Sequence, residues 1–187
     1  ISILLIIILN LVAYFGIEAS AFLLVIFAFA AIGILLAIIF PGLFKIDSSN
    51  YFPFFSFGLS SIFITMFFIT ESFFGWESAT YLAEETKEPE RIIPKAIIVG
   101  TIIVGILGIL MTLVSLGVIP WRILATSNNP LSIVSERLIG GFGMKLIDIG
   151  IFVALIGSAA GGIITMPRLI LALARDKLFI AQLSSIH

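Results

Sequence analysis

The chain has 187 residues, of which 60% are hydrophobic and 11% charged, with a formal net charge of −1. A soluble domain carries roughly twice that charged fraction, so a mean hydropathy of +1.26 makes lipid the solvent for much of this chain. Near-neutral charge argues against a nucleic-acid partner, and the lack of cysteine excludes a thiolate metal site.

In chain order, the apolar run 1–15 comes first. It has no basic flank and no small-residue cleavage site, so it does not read as a signal peptide. It is also short against the about 20 residues that a span needs. A chain that opens mid-helix on Ile1 rather than on Met is expected to be a fragment. Four longer apolar segments follow, at about 21–40, 52–83, 96–121 and 146–174, each predicted to be a membrane helix. None alternates with the period of a membrane β-barrel strand. The expected fold is all-α: a polytopic transmembrane helix bundle.

The breaks carry loop chemistry. Residues 16–20 are expected to turn, and 41–53 hold Lys45, Asp47, Ser48, Ser49 and Asn50. Residues 84–95 are dense in charge around Pro89 and Pro94; the longest break, 122–145, holds Asn128, Asn129, Pro130 and the Gly140-Gly141 pair. One side of this topology collects Lys87, Arg91, Lys95, Arg168, Arg175 and Lys177. The other has Lys45, Arg122, Arg137 and Lys145, so the 84–95 loop and the C-terminal tail are expected in the cytoplasm.

Small residues cluster on three of the segments: Ala28, Ala30, Ala31 and Gly33; Gly100, Gly105 and Gly108; and the run from Gly157 to Gly162. They permit close backbone approach, which accounts for most of them. The last run is the one that could instead face a cavity.

The 52–83 segment is the informative one. As a single helix it would be about 48 Å long, against a hydrocarbon core of about 30 Å. A break is expected within 72–76, at Gly75, with Glu71 and Glu77 on either side. Carboxylates at membrane depth are costly and face polar interiors. Discontinuous helices are the device with which secondary transporters bind substrate and ions. The bland alternative is an ordinary glycine with Glu77 capping a half-helix.

Ser72-Phe73-Phe74-Gly75-Trp76-Glu77-Ser78-Ala79, followed by Ala83-Glu84-Glu85-Thr86-Lys87-Glu88-Pro89-Glu90-Arg91-Ile92-Ile93-Pro94, resembles the sixth helix and following loop of the amino acid–polyamine–organocation (APC) permeases. Gly157 to Gly162, then Pro167-Arg168 and Ala174-Arg175-Asp176, is similar to the family's eighth helix, with Lys177 where that family usually has Gly. The resemblance spans the whole chain. It implies the family's fourth to eighth helices, part of a five-plus-five inverted-repeat fold, with the first helix and its half of the site missing. It further implies substrate binding by Glu71, Ser72, Phe73, Phe74, Gly75 and Trp76. Backbone carbonyls there would accept the substrate's amino group, and Phe74 and Trp76 would wall the cavity. Glu71 departs from the family pattern.

Glu71 and Glu77 are the proton-coupling candidates. A break between them would leave Glu71 ending one half-helix and Glu77 starting the next. The helix dipole would then favour the anion of Glu77 and oppose that of Glu71, which makes Glu71 the better candidate for coupling or for a cationic substrate. The implied function is secondary-active transport of an amino acid or related amine by alternating access, at the plasma membrane. Lipid, an H⁺ or Na⁺ coupling ion and the remaining helices of the same permease would be the partners. The alternative is a structural or regulatory membrane subunit. No catalytic residue, cofactor or metal is expected, because H-E-x-x-H and G-x-S-x-G are lacking and the single histidine is the terminal His187.

Overall fold

Residues 2–14, 17–54 and 57–184 are described by a computed structural model. Among the described residues six α-helices follow one another: α1 Ser2–Tyr14, α2 Ile17–Leu43, α3 Leu59–Thr70, α4 Pro89–Val118, α5 Trp121–Thr126 and α6 Pro130–Arg175. Short 3₁₀ stretches run over Ser48–Tyr51, Glu71–Phe73, Trp76–Glu85 and Ala181–Ser184, and no strand occurs among the described residues. Among the described residues four stretches are long and apolar enough to cross a bilayer: Ser20–Leu43, Leu59–Glu85, Pro89–Val118 and Pro130–Arg175. The molecule is thus an all-α polytopic helix bundle. Phe15, the last residue of the first apolar run, and Gly16, the first of the expected turn, lie outside the described residues, and 17–20 already belong to α2.

Three boundaries differ from the sequence expectation. The third span begins at Leu59 rather than at 52, behind an extended Gly58. The residues before it are engaged elsewhere: Asn50 Nδ2 and Tyr51 Oη donate to the carbonyls of Gly117 and Leu113, both at 2.8 Å. The Gly117 carbonyl belongs to the last turn of α4, where carbonyls lack intrahelical partners, and that of Leu113 lies one turn earlier. The fourth helix begins at Pro89, not at 96, because Pro89 suits the first helical position and Glu90 sits favourably in the first turn. The charged 84–95 segment is therefore helical at both ends. Finally, most of the 122–145 break is helical. Residues 127–129 separate α5 from α6, Pro130 again starts a helix, and within that helix only Ile139 (φ −134°) and Gly140 (φ +70°) depart from helical geometry. Leu131, Val134 and Leu138 recur at helical spacing, with Val134 and Leu138 buried, which holds this part in a helix.

The helices divide into two compact units. The second unit, 28–72 with 101–154, holds the main core: Ile38, Ile39, Met111, Val114, Ile119, Val134, Leu138 and Ile147. Its polar groups are satisfied locally. Lys45 Nζ donates to Leu138 O at 2.7 Å, a cation at the end of the helical stretch before the kink. Ser132 Oγ donates to Asp148 Oδ1 at 2.6 Å, tying the two halves of α6 across that kink. The first unit, 1–27 with 73–100 and 155–187, contains the candidate site.

Candidate functional site

The α-helical run of α3 ends at Thr70, and a single 3₁₀ turn carries the chain through Phe73. Gly75 then adopts φ +97°, ψ −12°, a left-handed conformation that residues with a Cβ avoid. A Cβ at Gly75 would meet nothing within 4 Å, so the demand for glycine is conformational and not one of space. The chain resumes as the Trp76–Glu85 stretch.

Both backbone groups of Gly75 are occupied. Its N–H donates to Glu77 Oε2 at 2.9 Å, and its carbonyl accepts from Ser78 N–H at 3.0 Å and Ser78 Oγ at 2.5 Å. Glu77 is thereby tied by its side chain to the backbone of the break. Glu71 is exposed, and its side chain makes no hydrogen bond or ion pair among the described residues, while its backbone N–H donates to Ile69 O.

A cavity of about 620 Å³ opens beside this break, wholly within the first unit. Phe74, Gly75, Trp76 and Ser78 line it from the broken segment, and Ser158, Gly161, Gly162 and Thr165 from α6. Leu24, Leu82, Ile97 and Met166 complete apolar walls. The volume falls within the range of small-molecule sites. Among the described residues no charged side chain lines it. Thr165 Oγ1 donates to Gly161 O at 2.9 Å, so its proton is spent within α6. Among the six expected substrate residues, Phe74, Gly75 and Trp76 are brought to the cavity, while Glu71, Ser72 and Phe73 are not.

The run Gly157 to Gly162 resolves into two roles. Gly157 packs, since a Cβ there would lie 3.1 Å from Phe27, whereas Gly161 and Gly162 have nothing within 4 Å and border the cavity. Sequence reasoning missed Thr165 and Ser78. The spacing Ser158, Gly161, Thr165 places three small or hydroxyl residues on one helical face, a signal that was available.

Long apolar helices, a broken span and a lined cavity define an integral membrane protein of the polytopic all-α class. The chain belongs to the amino acid permease family, whose sequence signature matches residues 1–187. Among curated relatives it is 34% identical to the vacuolar cationic amino acid transporter 4 of Arabidopsis thaliana over 74% of this chain and 22% of that protein. It is 28% identical to the branched-chain amino acid permease BcaP of Bacillus subtilis over 74% of this chain and 30% of that one. With the serine/threonine exchanger SteT of the same bacterium, identity is 32% over 60% and 26%. The chain thus spans less than a third of the length of these relatives. No solved structure matches it.

Proposed function

We propose that this chain forms part of a secondary-active permease that carries an amino acid or related amine by alternating access. The observation that carries the reading is the family match over residues 1–187, and the cavity at the Gly75 break supports it. The relatives' names cover cationic, branched-chain and hydroxylated amino acids, so the shared ligand chemistry is the α-amino acid backbone itself. The cavity lining supplies apolar surface and hydroxyls but no charge, so backbone dipoles at the break would meet the substrate's charged groups. Glu71, whose side chain is exposed, is the proposed coupling or cation-selecting carboxylate, and Glu77 the second candidate. H⁺ or Na⁺ is the proposed coupling ion. We place the protein in the plasma membrane with the 84–95 segment cytoplasmic.

The test is uptake by the full-length protein in liposomes, with labelled cationic, branched-chain and hydroxylated amino acids under imposed H⁺ or Na⁺ gradients. Saturable uptake of at least one is expected. Gly75→Ala should reduce it about tenfold, the factor that a left-handed alanine's cost of about 1–2 kcal/mol represents. Glu71→Gln should alter pH dependence or cationic selectivity more than Glu77→Gln does. A folded full-length protein that moves no amino acid would instead favour a structural or regulatory subunit.

A further inference from the structure

Two ion pairs join the broken segment to α6 within the first unit. Arg175 Nη1 lies 2.6 Å from Glu84 Oε2, and Arg168 Nε lies 3.2 Å from Glu85 Oε1. The arginines are seven residues apart and so share one face of α6, about 10 Å apart along the axis. The glutamates are consecutive at the end of a 3₁₀ stretch, where neighbouring side chains diverge by about 120°. One carboxylate therefore reaches towards the C-terminus of α6 while the other reaches back two turns. Arg168 is held further by donating from Nη1 to Ile164 O at 2.7 Å. Its pair is also the more sheltered, with side chains 21% and 34% exposed against 42% and 59% for Arg175 and Glu84.

A lone surface ion pair fixes little. Two pairs on adjacent residues behave differently, because closing the first presents the second at high effective concentration. The contrast is Glu88–Arg91, a 3.8 Å contact at the start of α4 that links no second element. Both partners of the clasped assembly are walls of the same cavity: Trp76, Ser78 and Leu82 on one side, Ser158, Gly161 and Thr165 on the other. The Trp76–Glu85 stretch is thus pinned at its far end and joined at its near end to Gly75, the left-handed residue of the break.

We propose that Glu84–Arg175 and Glu85–Arg168 form a two-point clasp that pins the Trp76–Glu85 stretch to α6 and sets the width of the cavity they share. The four side chains are positioning residues; their effect on transport rests on the permease reading, but the clasp itself does not.

The experiment uses the full-length protein with nitroxide labels on Thr80→Cys and Ile170→Cys, two exposed positions on the elements concerned. Pulsed electron spin resonance reads the distance between them. Glu84→Gln and Glu85→Gln should each broaden the distribution and move it to longer distance, and together more than additively. The swap Glu84→Arg with Arg175→Glu should restore it, which a variant that merely loosens the fold would not do. In uptake, the single variants should raise KM and the swap should recover it. An unchanged distance distribution in both glutamine variants and in their combination overturns the proposal. If the distances respond as expected but no variant, nor the wild type, moves any amino acid, the clasp stands and the permease reading falls.

Discussion

Particular glycines of the two units do opposite work. In the second unit Gly42, Gly150 and Gly117 make room for a neighbour: a Cβ on Gly42 would collide with Val114, one on Gly150 would lie 2.6 Å from Ile34, and one on Gly117 would lie 3.0 Å from Ile46. In the first unit Gly161 and Gly162 make room for nothing in the chain, and the cavity begins where their side chains would be. In lipid, where hydrophobicity does not draw helices together, the first use is what packs a bundle. The second use keeps a space open. Composition does not separate them; only the neighbour does.

The sharpest way to break this comparison is one methyl group in each unit. Gly42→Ala should destabilise the protein by about 1–3 kcal/mol, because the core around Val114 and Leu138 must shift to admit it. Gly161→Ala should instead stabilise it by about 1 kcal/mol, the helix-propensity difference, while narrowing the cavity and weakening uptake. Melting temperatures of the full-length variants in detergent read both. Destabilisation of similar size at the two sites would erase the distinction drawn between the units.

The sequence makes some of this legible and hides the rest for physical reasons. The break at Gly75 was readable because length excess, a helix-poor residue and flanking carboxylates all point to one place. The helix from Pro130 was not, because Asn128, Asn129 and the Gly140-Gly141 pair outweigh the Leu131, Val134 and Leu138 stripe in a local reading. Lys45 finds its acceptor 93 residues away, and Arg175 its carboxylate 91 residues away. No local pattern encodes either. Arg168 and Arg175 read from sequence as cations of the side expected in the cytoplasm, but which carboxylates they meet needed the fold. Within the expected site, Phe74 and Trp76 reach the cavity and Glu71 does not, since side chains around a break diverge in a way that depends on the backbone conformation of Gly75.

A smaller effect is expected at the end of α6. Leu178 N–H donates to Leu173 O at 2.9 Å and Lys177 N–H to Ala174 O at 3.2 Å, the two bonds of a Schellman closure. That closure puts Lys177 at φ +60°, where glycine is at ease and a side chain is strained. Lys177→Gly should therefore raise stability by up to about 1 kcal/mol, less the entropy that glycine adds to the unfolded chain. A lower melting temperature for Lys177→Gly would mean that the lysine makes a compensating contact.

The smallest expected effect lies in the loop that caps α4, and its signature is in pH. Asp47 precedes the Ser48–Tyr51 turn, and its Oδ1 accepts from Ser49 Oγ at 2.7 Å and Ser49 N–H at 2.9 Å. These two bonds, the hydroxyl's first, hold the Asp47 carboxyl below its ordinary range, with slight desolvation opposing them. A depressed folded-state pKa means that the anion's contribution is complete above the unfolded pKa and is lost as pH falls through the folded one. Asp47→Ala should thus cost a little stability at neutral pH, while wild type and variant converge below the usual carboxylate range. The loop also places Asn50 and the Asp47 N–H on Gly117 O, so the loss should register locally as faster amide exchange at the end of α4. A stability difference that persisted unchanged into acid would show that Asp47 acts through its shape and not through its charge.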